Sequence, residues 1–140
     1  MITINAERAP VNVIVYTATA ADGATFSITD IKSRKYYDEL AVRPVTLRQV
    51  HSADVLRVLN ANRYVVDGTD ADGMFTCEAD LPLGILTADC YPVMLAGEKC
   101  VAALHCGWRG TFAGIIPKAA AMFESEGDCP LYAFVGAGIS

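Results

Sequence analysis

Histidine is nearly absent from this chain: there are two in 140 residues, His51 and His105. That scarcity excludes a multinuclear centre built on imidazoles within one chain. Basic residues are also few. Lys and Arg number 11 against 16 Asp and Glu, a formal net charge of -5, and no Lys/Arg stripe of the kind that phosphate backbones need is present. A nucleic-acid partner is therefore not expected. No apolar run approaches the ~18–20 residues of a membrane span, so no membrane partner is expected either. The first residues, Met1 to Arg8, lack a basic stretch followed by an apolar one and do not read as a secretory signal. A cytoplasmic location is the resulting expectation.

The five cysteines, Cys77, Cys90, Cys100, Cys106 and Cys129, are odd in number and irregularly spaced, with no C-x-x-C pair. The pattern predicts reduced thiols rather than a disulfide framework. Cys77, Cys100 and Cys129 read as small buried apolar side chains or incidental thiols.

What is present is apolar. Hydrophobic residues make up 53% of the chain and charged residues 19%, the balance of a globular chain. The length suits one domain over 1–140. Strands are expected at 11–18 and, across the turn Ala21-Asp22-Gly23, at 24–30. A short helix is expected over 33–40 with Ser33 as its N-cap. Further strands are expected at 45–50 and 54–59, on either side of His51. Asp67-Gly68 and Asp72-Gly73 read as turns. Apolar runs at 83–86 and 93–96 flank Asp89-Cys90, and Gly97-Glu98 reads as a hairpin loop before a strand at 100–104. Residues 110–126 form the best helix, with Pro117 tolerable only in its first turn, so that its regular part begins near Ile115. A buried strand is expected at 131–135. These elements predict an α+β fold, a mixed and largely antiparallel sheet flanked by helices.

Three blocks carry the chemistry: Arg48-Gln49-Val50-His51, Leu86-Thr87-Ala88-Asp89-Cys90-Tyr91-Pro92-Val93, and Leu104-His105-Cys106-Gly107-Trp108-Arg109-Gly110. Two imidazoles and a thiol at the ends of apolar runs can bind one transition metal, or serve as nucleophile and base. Cys90 and His105 reach one rim if the strands at 83–86 and 100–104 are neighbours. Gly107-Trp108-Arg109-Gly110 leads into the helix, and Arg109 offers a bidentate donor to a phosphate or carboxylate. Asp89 reads either as a support for a ligand imidazole or as a turn cap. Trp108 reads as core rather than as a stacking platform.

Taken in order, Gln49-Val50-His51, Thr87-Ala88-Asp89-Cys90-x-Pro92-Val93 and His105-x-Gly107-Trp108-Arg109-Gly110 resemble the YfiH-like family. That family is also called the "laccase domain" or "polyphenol oxidase" group and is understood as purine nucleoside phosphorylases. Asp70-Ala71-Asp72-Gly73-Met74-Phe75-Thr76 is similar to its Asp-Ala-x-x-Thr segment. The resemblance covers residues 33–140. It implies that His51, Cys90 and His105 form a zinc-binding triad with catalytic roles, and that the substrates are a purine nucleoside and phosphate. It implies associated adenosine deaminase and methylthioadenosine phosphorylase activities. Arg34 is the best match to an arginine that the family carries before its first histidine, and with Arg109 it is expected to bind phosphate. The chain departs from the family in three places. Thr17-Ala18-Thr19-Ala20-Ala21-Asp22-Gly23 stands where the family has a Thr-Thr-Arg-x-Gly-Gly type segment, Cys106 replaces an alanine, and the sequence stops at Gly136-Ala137-Gly138-Ile139-Ser140, where the family continues past its Gly-Pro-x-Ile-Gly segment.

Other readings of the same residues are a metal-independent cysteine hydrolase with Cys90 as nucleophile and His105 as base, a mono-copper polyphenol oxidase, and a relative that binds nucleoside without turnover. A multicopper oxidase needs more histidines than the chain contains. A homo-oligomer is compatible with the sequence.

Overall fold

The computed structural model describes residues 2–5, 13–17 and 43–139. The strand expected at 24–30, the helix expected at 33–40 and Arg34 lie outside the described residues. Strand β1 (Ile2–Asn5) pairs antiparallel with β2 (Ile14–Thr17), with Ile4 opposite Val15. The pairing of β2 with an N-terminal strand was not anticipated from the sequence.

The main sheet has five strands: β3 (Val55–Arg57), β4 (Gly73–Thr76), β5 (Tyr91–Ala96), β6 (Val101–Cys106) and β7 (Tyr132–Val135). Their order is β3-β4-β6-β5-β7. Only β3 and β4 run parallel; the other pairs are antiparallel. The sheet is mixed and largely antiparallel, as the α+β expectation has it. Among the described residues three helices accompany it: α1 (Arg63–Val66), α2 (Trp108–Phe112) and α3 (Ile115–Ser125).

The period-2 alternation of β6 divides the molecule. Ala102, Leu104 and Cys106 point to one face, where Phe75, Val93, Leu95 and the buried stripe Ile115, Ala119 and Phe123 of α3 complete a core. That stripe follows the four-residue spacing of a helix face. Phe75 and Phe123 meet edge to face at 5.0 Å, an arrangement that aromatic rings prefer. Met74 lies on the other face, in a second cluster with Val45, Leu47, Val58, Val66, Ala71 and Leu81. His105 lies on the face of β6 opposite Leu104.

The expected helix over 110–126 is two helices. Gly114 takes a left-handed φ of 88°, a conformation glycine enters without a Cβ clash, and it ends α2 and caps α3. Pro117 is the third residue of α3, among the amides that have no helical acceptor, so its missing N–H costs little. The first bond of α3 comes from Lys118 to the Gly114 carbonyl.

Several expectations are corrected. The segments at 45–50 and 83–86 are not ladder strands; each contributes only isolated bridges, Val45 with Leu83 and Arg48 with Asp70. The neighbours of β6 are therefore β4 and β5, not the 83–86 segment. Asp72-Gly73 is not a turn: Asp72 is fully buried and Gly73 opens β4. Among the described residues β7 pairs with β5 alone, and Val135 is 58% exposed rather than buried. Cys77 and Cys100 form a disulfide. The reason is register: Thr76 pairs with Val101 in the antiparallel ladder, so the next positions outward face one another. That proximity is non-local and invisible in the spacing of the cysteines. Cys129 is exposed.

Candidate metal centre

Strand register builds the site. In the β5–β6 ladder Tyr91 pairs with Cys106 and Pro92 with His105. Cys90, one residue before β5, therefore arrives at the end of the sheet where β6 delivers His105. His51 comes to the same end on the segment between Val45 and β3. Ligand atoms of His51, Cys90 and His105 all lie within 4.8 Å of one another. Cys90 Sγ is 3.8 Å from His51 Nε2, and the two imidazoles meet edge on with centroids 4.9 Å apart. Donors bound tetrahedrally to one ion at bonds of ~2.0–2.3 Å sit about 3.3–3.8 Å apart. The spacing of this group fits one metal ion with small adjustments of side-chain torsion, and two imidazoles with one thiol suit a borderline-soft ion.

Two features hold the three approaches together. The carboxamide of Gln49 donates to the Leu86 carbonyl at 2.6 Å and accepts from the Leu86 N–H at 2.9 Å. It copies a backbone ladder between the segment carrying His51 and the segment leading to Cys90. Gly107 supplies the close approach. A Cβ there would stand 3.0 Å from Cys90 Sγ and 3.1 Å from His51 Cδ2, so a side chain at 107 would press on two members of the group.

Asp72 is the buried acid of the site, and it was not foreseen. Its Oδ1 accepts from the His51 N–H at 2.9 Å and from His105 Nδ1 at 2.7 Å. Its Oδ2 accepts from the Val50 N–H, the Ser52 N–H and the Ser52 hydroxyl. Burial opposes charge on this carboxyl, but the donors from His105, Ser52 and His51 outweigh it and hold its pKa below the usual range. The sequence signal was the segment Asp70-Ala71-Asp72-Gly73, which reads as a turn when taken alone. Asp89, considered for the same duty, has an exposed side chain, and its carbonyl accepts from the Ile139 N–H.

Arg109 lies on α2, with its guanidinium 5.4 Å from the centre of the Trp108 ring. Trp108 is 76% exposed and Phe112 90% exposed, so Trp108 is not core. The residue that contacts the Cys90 thiol is His51, whereas Nδ1 of His105 is engaged by Asp72. Cys106, despite its place beside His105, faces the α3 core. Burial pushes its thiol up to about 11.

Comparison with known proteins places the chain among relatives. The chain is 34% identical over 96 residues to a purine nucleoside phosphorylase of Rickettsia prowazekii (strain Madrid E), covering 67% of this chain and 39% of that protein. It is 37% identical over 90 residues to the purine nucleoside phosphorylase YfiH of Escherichia coli (strain K12), covering 62% of this chain and 35% of the relative. Among solved structures, YlmD from Geobacillus stearothermophilus superposes with a TM-score of 0.66 at 27% identity, over 77% of this chain and 45% of that one. A hypothetical protein YfiH of Bacillus licheniformis gives 0.67 at 25% identity, over 78% and 46%. The chain thus spans less than half the length of these proteins. The family described as multi-copper polyphenol oxidoreductase laccase matches residues 31–140, and the chain belongs to that family.

Proposed function

We propose that this chain carries the reaction centre of a purine nucleoside phosphorylase. The observation that carries the reading is the convergence of His51, Cys90 and His105 at one sheet end, in a chain whose relatives bear that name. Phosphate and a purine nucleoside are the substrates. A phosphate oxygen attacks the anomeric carbon, the bond from that carbon to the purine nitrogen breaks, and the purine leaves as its protonated base. Arg109, and Arg34 with it, bind the phosphate through charge-assisted hydrogen bonds. The site's polar side chains donate a proton or hydrogen bond to the departing base.

His51, Cys90 and His105 are the residues that would hold a metal; two nitrogens and one sulfur suit zinc, with copper as the alternative. A bound zinc ion supplies Lewis acidity toward a water or a substrate oxygen. Such chemistry would serve the proposed adenosine deamination, whereas methylthioadenosine cleavage is the same phosphorolysis on another nucleoside.

The test is product analysis. Incubation with inosine or adenosine should release free base and ribose 1-phosphate only when phosphate is present. No phosphate-dependent product from several purine nucleosides at high protein concentration would reject the reading. The cysteine-hydrolase alternative takes a changed form here, because the imidazole in contact with Cys90 is His51. It predicts turnover that survives chelation and stops on stoichiometric alkylation.

A further inference from the structure

We propose that Asp72 is the positioning residue of this centre: its one carboxylate fixes the tautomer of His105 and the backbone of His51 together. The inference rests on the metal-centre reading for its consequence, but not for its geometry.

Asp72 grips His105 at two points. Its carbonyl accepts the His105 main-chain N–H at 2.7 Å, and its Oδ1 stands 2.7 Å from Nδ1. A carboxylate only accepts, so Nδ1 carries the proton and Nε2 carries the lone pair. With Nδ1 taken, Nε2 is the nitrogen left for the group with His51 and Cys90. A ligand imidazole held by a carboxylate through its other nitrogen is oriented and made more basic.

The same carboxylate collects three consecutive amides, from Val50, His51 and Ser52, and the Ser52 hydroxyl. Within this cradle His51 adopts a φ of 63°, a left-handed conformation that costs a non-glycine residue of order 1–3 kcal/mol unless its surroundings impose it. Both oxygens of Asp72 therefore face donors alone. The two imidazoles come from segments far apart in sequence, and their relative placement passes through this one side chain.

Asp72→Asn separates positioning from simple filling of space. An asparagine must turn its NH2 toward one set of donors. Facing Oδ2's three donors is worse than facing the two at Oδ1, so the NH2 lies against His105 and His51. It then donates to Nδ1 and moves the His105 proton to Nε2, where it blocks the metal-binding lone pair.

The experiment is long-range proton–nitrogen NMR of the metal-free protein at mildly alkaline pH, in a His51→Ala background that leaves His105 as the single histidine. The parent should show the Nδ1–H tautomer, and Asp72→Asn should shift it to Nε2–H, while Ser52→Ala leaves it unchanged. Zinc affinity of the His51-containing protein, measured by chelator competition, should fall 10–100-fold in Asp72→Asn. An Nε2–H tautomer in the parent, or an unshifted tautomer in Asp72→Asn, would overturn the proposal. The parent spectrum decides the matter even if the Asp72 variant does not fold. A tautomer switch in a protein that binds no zinc would reject the metal-centre reading and leave the positioning role standing.

Discussion

The carboxamide of Gln49 and the main chain of Leu86 exchange two hydrogen bonds across 37 residues of sequence. This side chain stands in for the strand that the 83–86 segment does not form, and it joins the approach of His51 to that of Cys90. Gln49→Leu keeps the bulk but leaves the Leu86 N–H and carbonyl without their partner. We expect a loss of about 1–3 kcal/mol in denaturant unfolding, the cost of stranded polar groups. Metal affinity should fall with it. Unchanged stability and affinity would show that the two segments are held by other contacts.

Gly107 gives a second, more local handle. Its added Cβ would sit 3.0 Å from the Cys90 sulfur, so Gly107→Ala must displace that sulfur or the His51 ring by a few tenths of an ångström. Metal–ligand bonds tolerate about ±0.2 Å. A loss of about tenfold in metal affinity is expected with little change in unfolding midpoint, read by chelator competition and thermal denaturation.

The three free thiols should differ in reactivity. The thiolate is the nucleophile, and burial pushes the Cys106 thiol up to about 11. Near neutral pH only about one Cys106 in ten thousand carries the reactive form. Iodoacetamide should label exposed Cys129 and the half-buried Cys90 in the native protein, and Cys106 only after unfolding. Saturating zinc should protect Cys90 alone. Rapid native labelling of Cys106 would contradict its place in the α3 core.

The Cys77–Cys100 bond closes the far end of the β4–β6 ladder, five positions from His105, or roughly 17 Å along an extended strand. Peptide mapping without reductant should recover the two linked. Reduction removes a constraint on a loop with a sequence separation of 23, expected to cost about 3 kcal/mol of stability in the chain-entropy account. Metal affinity should hardly move, because no ligand lies at that end.

Acid should weaken the fold through two carboxylates. Asp72 is described above. For Asp128 burial again favours the neutral form, and the amides of Lys99, Glu98, Cys129 and Cys100 outweigh it. Both folded-state pKa values lie below the unfolded ones, so the unfolded chain takes up protons first. Their stabilisation is complete above about pH 5 and drains away as the pH falls through the unfolded value near 4 toward the lower folded values. Denaturation midpoints measured down this range should fall, and Asp128→Asn should flatten the slope. A flat profile in the parent would refute the coupling.

The sequence carried the site's three ligand candidates and the broad sheet architecture, because those rest on short blocks and period-2 runs. It did not carry what depends on partners distant in the chain. Asp72 looks like half of an Asp-Gly turn until five donors are seen around it. Cys77 and Cys100 look unrelated until the ladder sets them opposite. The exposure of Trp108 and β7 was missed because apolar character alone does not say on which side of the last strand a neighbour exists.

Strand β6 presents Leu104 and Cys106 to one side and His105 to the other. Insertion or deletion of one residue within 101–104 would turn the imidazole into the oily interior and bring an aliphatic group to face the acid. Packing and chemistry are thus written on one reading frame. A change of length is therefore expected to be tolerated before or after β6 and not within it.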